Sequence, residues 1–409
     1  MSTLQNADVC ILGAGPSGAI AAALLVQKGY RVTVLEKMQF PRFSIGESLL
    51  PQCMAFIKMA GMEEAVLDAG FQFKNGAAFA FGEKRASFDF SEKVSEGPAT
   101  TFQVQRDKFD KILADEAAKM GADIYYQHEV VSVDMGKDQS RITYKDKAGI
   151  QGELTASFVL DASGFGRVLP RLLALESPSD FPVRQSLFTH IQDNILDTNF
   201  DREKILITIH PEHRDVWFWL IPFSDGRCSL GVVAEPKYFT EGVEHETQLK
   251  KWVEGSGWMG ELLSQATFDR PVQKITGYSS NVSALHGDGF ALLGNAGEFL
   301  DPVFSSGVTI AMKSAVLASE VLDQQLQGRA VDWQKAYAEP LMQGVDTFRT
   351  FVQAWYDERL QNIVLYPEPN QKIKNMVCAI LAGYAWDEGN PYVVDSERRI
   401  NTLAELCSM

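Results

Sequence analysis

Cysteine is scarce in this sequence and follows no pattern. The five residues, Cys10, Cys53, Cys228, Cys378 and Cys407, are odd in number, widely spaced and never form C-x-x-C. That excludes a disulfide framework and leads us to expect reduced thiols in a cytoplasmic protein. The six histidines show no ligand-like pairing with them, so no metal is expected. Positive charge is also in deficit: 38 Lys and Arg face 53 Asp and Glu, a formal net charge of -15. Nucleic acid and anionic bilayers repel such a polyanion, so neither is an expected partner. No apolar run reaches the roughly 18 residues that span a bilayer. Met1–Asp8 lacks both the basic region and the cleavage site of a signal peptide.

What is present begins with a β-α-β unit. Val9-Cys10-Ile11-Leu12 reads as a buried parallel strand, Ala19–Lys28 as a helix and Arg31–Leu35 as a second strand. Between the first strand and the helix lies G-x-G-x-x-G, formed by Gly13, Gly15 and Gly18. Gly13 permits the tight turn, Gly15 lets backbone amides approach a pyrophosphate, and Gly18 lets helix and strand pack closely. The helix N-terminus at Pro16 and Ser17 adds partial positive charge. Glu36 closes the second strand about 20 residues further on, where a carboxylate accepts hydrogen bonds from a ribose diol. Together these predict a dinucleotide site; the plain alternative is a glycine turn with no ligand. No second fingerprint is present, so no NAD(P)H module is expected.

Further along, residues 52–68 read as helix, 77–90 as strands, 106–120 as a strongly amphipathic helix and 122–133 as strand. Phe158-Val159-Leu160 is a second buried strand, 180–275 a separate sheet layer, 290–293 an apolar strand and 307–325 a long helix. The 409 residues suffice for a large core or two intertwined domains. The domain plan interleaves cofactor-binding parts (1–75, 101–180, 276–330) with substrate-side strands (76–100) and a substrate sheet (181–275). A helical region, 331–409, closes the chain.

Two later segments bear on which dinucleotide binds. Asp161-Ala162-Ser163-Gly164 follows one buried strand. Gly294-Asn295-Ala296-Gly297-Glu298-Phe299-Leu300-Asp301-Pro302 follows another and precedes a helix. This arrangement resembles the FAD-containing aromatic-hydroxylase superfamily, with Asn295 where that family usually has Asp. The resemblance implies an α/β fold: a Rossmann-like FAD-binding domain with an interleaved β-sheet substrate domain and C-terminal helices. It implies FAD contacts from Lys37, Arg42, Ser48, Arg106, Asp161, Gly164, Gly294, Asn295, Asp301, Gly307 and Val308, in addition to the fingerprint residues.

Within that superfamily the chain most resembles flavin-dependent halogenases. Four segments carry the likeness: Phe40–Pro51, Gly70–Ala77, the W-x-W-x-I-P run Trp217–Pro222, and Asp301–Val308. The resemblance implies that FAD, reduced by a separate flavin reductase, works with oxygen on a halide held by amides around Ser305, Ser306 and Gly307. The resulting hypohalous acid then reaches Lys74. Lys74 falls on the family's essential lysine, flanked by Phe71, Phe73 and Phe79, and Trp217 and Trp219 wall the substrate from the cofactor. The implied substrate is an electron-rich aromatic ring, free or carrier-linked. Glu47 is either a base or a partner of nearby backbone amides.

Each residue also has a plainer reading. Lys74 is a solvated lysine, the Trp pair is core packing, Arg106 is a surface ion pair and Ser305–Gly307 is a helix cap. Tryptophan-type halogenases have Glu where this chain has Phe304, and they continue through a longer set of C-terminal helices. The same FAD framework also suits a monooxygenase, a geranylgeranyl-type reductase or a flavin protein without turnover.

Overall fold

The structure, a computed structural model, describes residues 2–4 and 6–408; Met1, Gln5 and Met409 lie outside it. Two sheets organise the chain. In the first, the strand order is His286–Gly287, Phe290–Leu292, Gln151–Asp161, Ala7–Leu12, Val32–Glu36, Asp123–Tyr126. From Phe290–Leu292 onward each pair in this order is parallel. Such strands are covered on both faces, which is why Ala7–Leu12 and Val32–Glu36 are nearly continuous buried runs. Helix Pro16–Gln27 packs against helices Arg106–Met120 and Gly307–Leu326.

Some boundaries differ from the sequence reading. The first helix begins at Pro16 rather than Ala19, because proline's fixed φ suits the first helical position and its missing N–H is not needed there. The expected 52–68 helix is two helices, Gln52–Met59 and Glu63–Leu67, separated where Gly61 turns left-handed at φ 74. The strand read over 122–133 breaks into Asp123–Tyr126 and Glu129–Asp134 at Gln127.

The second sheet runs Gln273–Thr276, Gln185–Gln192, Arg227–Ala234, Trp217–Pro222, Lys204–Ile209, Gly76–Phe81, Lys84–Asp89. Strands from before and after the Gln151–Asp161 segment therefore share one ladder, joined by the parallel pair Lys204–Ile209 and Gly76–Phe81. All six residues of Trp217–Pro222 are buried. The two-residue period sends Trp217, Trp219 and Ile221 to one core and Phe218 and Leu220 to another. A small separate ladder pairs Gln72–Lys74 with Thr101–Gln103.

Among the described residues five helices follow, beginning with Glu339–Tyr356. Trp386 lies in the turn after helix Gln371–Leu381. It packs on Gly344, where a Cβ would lie 2.1 Å from the indole, and its Nε1 donates to the Pro340 carbonyl at 2.9 Å. Among the described residues no helix is long and apolar enough to cross a membrane.

Candidate active site

A cavity of about 410 Å³ opens between the two sheets. The fingerprint turn forms one end of it. Gly13 sits at φ 100, and a Cβ there would lie 2.6 Å from the Ala162 carbonyl oxygen, so only glycine makes this turn. At Gly18 a Cβ would lie 2.0 Å from the Gly13 carbonyl oxygen, the close helix–strand packing expected of the third glycine. Gly15 is different: it lines the cavity, and the nearest atom to its Cβ position is Arg42 Nη2 at 3.5 Å. Its missing side chain therefore leaves room inside the cavity for a ligand to approach backbone. Pro16 and Ser17 line the same end. Glu36 is buried and lines the cavity, with its oxygens accepting the Ala14 N–H at 2.9 Å and the Met38 N–H at 2.8 Å. Lys37 lines the mouth and pairs with Glu129 at 2.8 Å.

Arg42 and Arg106 both line the cavity. Asp110, 1% exposed at the side chain, orders both. It accepts from Arg106 Nε at 2.6 Å and from Arg42 Nη1 at 2.8 Å. Arg106 also donates to the Ile45 carbonyl at 2.7 Å, tying helix Arg106–Met120 to the 41–51 loop. Arg106 is thus a buried ion pair on the cavity wall, not the surface pair of the plain reading. Gly164, Asn295, Ser305, Gly307 and Val308 complete this side. Ser305 is left-handed at φ 56, and helix Gly307–Leu326 starts just beyond it. Ser306 makes no side-chain cap bond, so the first-turn amides have no intrahelical acceptor and receive none from that hydroxyl.

The facing wall comes from the second sheet: Trp217, Trp219, Ile205, Ile207 and Ile221. The two indole centroids lie 6.1 Å apart. Trp219 donates to Ser229 Oγ at 3.1 Å and lies over Gly231, where a Cβ would stand 2.3 Å from the ring. Trp217 donates to Tyr356 Oη at 3.0 Å. Glu47 and Ser48 line the floor. Glu47 bonds the His190 ring at 2.7 Å, rather than the backbone amides of the sequence alternative.

Lys74 is 1% exposed, so the solvated-lysine reading does not hold. Desolvation by burial pulls its pKa down to about 7. Its Nζ donates to the Leu49 carbonyl at 2.7 Å and lies 5.4 Å from the Phe90 ring centre. Among the described residues it has no carboxylate within ion-pair distance; the flanking Phe73 is 41% exposed and Phe90 supplies the close ring instead.

Five residues from the sequence set lie off the cavity wall: Gly18, Lys74, Asp161, Gly294 and Asp301. Gly18 and Gly294 are packing glycines, the latter against Ala311, 2.8 Å from its Cβ position. Asp161 is fully buried, and its carboxylate accepts the Ser163 N–H at 2.9 Å and the Leu169 N–H at 2.6 Å, which shapes the turn that places Gly164. Asp301 accepts from Tyr356 Oη at 2.9 Å. Lys74 is bonded to Leu49, the residue after Ser48 of the wall.

Residues 6–339 match the family model of the FAD binding domain. A 1H-pyrrole-2-carbonyl-peptidyl-carrier-protein chlorinase of Pseudomonas fluorescens is 27% identical over 97% of this chain and 94% of its own length. The flavin-dependent brominase Bmp2 superposes with a TM-score of 0.84 and 26% identity, over 98% of this chain and all of that one. The chain belongs to the flavin-dependent halogenase family. A flavoprotein/dehydrogenase from Cytophaga hutchinsonii shares the fold with a TM-score of 0.95 and 42% identity over 99% of each chain. The residues present fit FAD: an open position at Gly15, a carboxylate at Glu36 and two ordered guanidinium groups along one cavity.

For this member of the halogenase family, sequence reasoning missed Asp110, His190 and the partners of Tyr356. Asp110 carried a signal, since it lies four residues after Arg106 on a helix. His190 and Tyr356 carried none, because their partners are distant in the chain.

Proposed function

We propose that this protein halogenates an electron-rich aromatic ring, free or carrier-linked, using FAD, oxygen and halide, with a separate reductase supplying reduced flavin. Bound reduced FAD supplies the electrons by which oxygen converts halide to hypohalous acid. Gly13, Gly15 and the helix amide at Ser17, just past Pro16, hold the pyrophosphate. Glu36 takes the ribose, and Arg42 and Arg106, aligned by Asp110, take a phosphate or ring edge. The amides entering helix Gly307–Leu326, beside Ser305, hold the halide. Trp217 and Trp219 keep the ring to be halogenated away from the cofactor. The Lys74 ammonium donates a hydrogen bond to hypohalous acid and polarises it toward the ring. The Leu49 carbonyl and the Phe90 face both favour that charged form.

The observation that carries this reading is a fully buried lysine with no carboxylate partner among the described residues, bonded to the carbonyl of Leu49, the residue after Ser48 of the cavity lining. The test is product mass from a phenol or pyrrole incubated with the protein, a flavin reductase, oxygen and bromide. One added bromine supports the reading, and its loss in Lys74→Ala with FAD retained supports the lysine's role. A second reading, another flavin oxidation, is favoured by the similarity to the Cytophaga flavoprotein/dehydrogenase. It predicts one added oxygen, or a change of two hydrogens, instead.

A further inference from the structure

The two indoles of the wall are anchored differently. Trp219 is held within its own sheet, by Ser229 on the neighbouring strand. Trp217 is held from outside it. Its Nε1–H donates to Tyr356 Oη at 3.0 Å, and the Tyr356 hydroxyl donates to Asp301 Oδ2 at 2.9 Å. The other Asp301 oxygen accepts the Val303 N–H at 3.1 Å. Three remote segments meet in this line: the strand Trp217–Pro222, the last residue of helix Glu339–Tyr356, and the residue that opens the turn to Ser305.

Little else competes for these groups. Trp217 is 1% exposed and Asp301 3%, so neither can exchange its partner for bulk water. The Arg184 guanidinium lies 3.9 Å over the Tyr356 ring and holds its plane. If Tyr356 lost its hydroxyl, a buried indole N–H would be left without an acceptor, and the ring would be free to tilt into the cavity. An indole anchored to the cofactor-side turn transmits any movement of that turn to the opposite wall.

We propose that Tyr356 and Asp301 are positioning residues for halogenation: they hold the Trp217 edge and so set the gap through which oxidised halogen passes toward Lys74. This rests on the halogenase reading above. The groups facing Asp301 are Tyr356, Tyr278 and Arg184. Burial pushes the Asp301 carboxyl up to about 6, against the hydrogen bond from Tyr356, which favours the carboxylate. Below that pH the acceptor of the line is neutralised and the anchor slackens.

The test uses the FAD-loaded protein and Tyr356→Phe, which keeps the ring on Arg184 and removes only the hydroxyl. Halogenated product per flavin oxidised falls roughly 3- to 10-fold, the worth of one buried hydrogen bond. FAD content stays the same, and more oxidised halogen escapes to a diffusible trap. In the Trp217→Phe background the Tyr356→Phe change has no further effect. A second readout needs no turnover. In 5-fluorotryptophan-labelled protein, the Trp217 fluorine signal, assigned with Trp217→Phe, shifts as pH falls through about 6. In Tyr356→Phe that response disappears. Unchanged product yield in Tyr356→Phe, or a pH-independent Trp217 signal in the parent protein, overturns the proposal. If the parent protein makes no halogenated product, the halogenase reading fails, and the fluorine signal still decides whether Asp301 governs Trp217.

Discussion

Lys74 shows how one residue is tuned by where its strand puts it. The side chain is buried with no carboxylate beside it among the described residues, so desolvation lowers its pKa from 10.5 to about 7. Between those values the unfolded chain binds a proton that the folded protein does not, so stability rises as pH climbs from about 7 toward 10.5. At pH 7 and below, the lysine costs on the order of a few kcal/mol. Lys74→Met is therefore expected to raise the urea midpoint at pH 6–7 and to flatten the stability profile above it, while abolishing halogenation. A variant less stable than the parent would mean that Lys74 is held by more than these contacts. Because the ammonium is the proposed donor, halogenation by the parent protein falls as pH rises through about 7, read from initial rates at saturating reduced flavin.

Elements set the rest of the cavity. Helix Arg106–Met120 presents Arg106 and Asp110 on the same face, one turn apart, and Asp110 gathers Arg42 from the preceding loop. Asp110→Ala would leave two largely buried guanidinium groups without their carboxylate. Breaking such a pair from one side costs roughly 3–5 kcal/mol, to be read from denaturant unfolding, with FAD affinity falling in parallel. The fingerprint turn makes a separate prediction. Gly15 has an ordinary backbone conformation, so a side chain there is not strained; it simply occupies the cavity beside Arg42. Gly15→Val should fold with near-parental stability and purify colourless. A yellow protein with full flavin content would remove the pyrophosphate from that turn.

At the scale of the molecule, the cavity is a seam. One wall is the parallel sheet with its connecting loops, the other is the Trp-bearing sheet, and the C-terminal helices tie the two together through Tyr356. A ligand in the seam touches both walls and binds only the folded chain. FAD in hundredfold excess over its dissociation constant should then stabilise the protein by about 2.7 kcal/mol. Removing it should lower the melting temperature without altering the far-ultraviolet circular dichroism. Loss of secondary structure on flavin removal would instead mean that the chain is not stably folded without FAD.

Local patterns carried the parts of this protein that depend on neighbours in sequence. The glycine spacing placed the turn between strand and helix, the 3.6-residue period marked Arg106–Met120 to the residue, and the alternation of Trp217 and Trp219 put both indoles on one face. Those features follow from backbone sterics and side-chain period, which act over a few residues. The tertiary fold alone decided that Lys74 is dry and stands behind the cavity floor rather than on it. It also decided that Glu47 meets His190 and that Trp217 reaches Asp301 through Tyr356. Those pairings join segments between 55 and 143 residues apart. Burial and hydrogen bonding select them only once both sheets and the final helices have packed, and no short-range pattern records that choice.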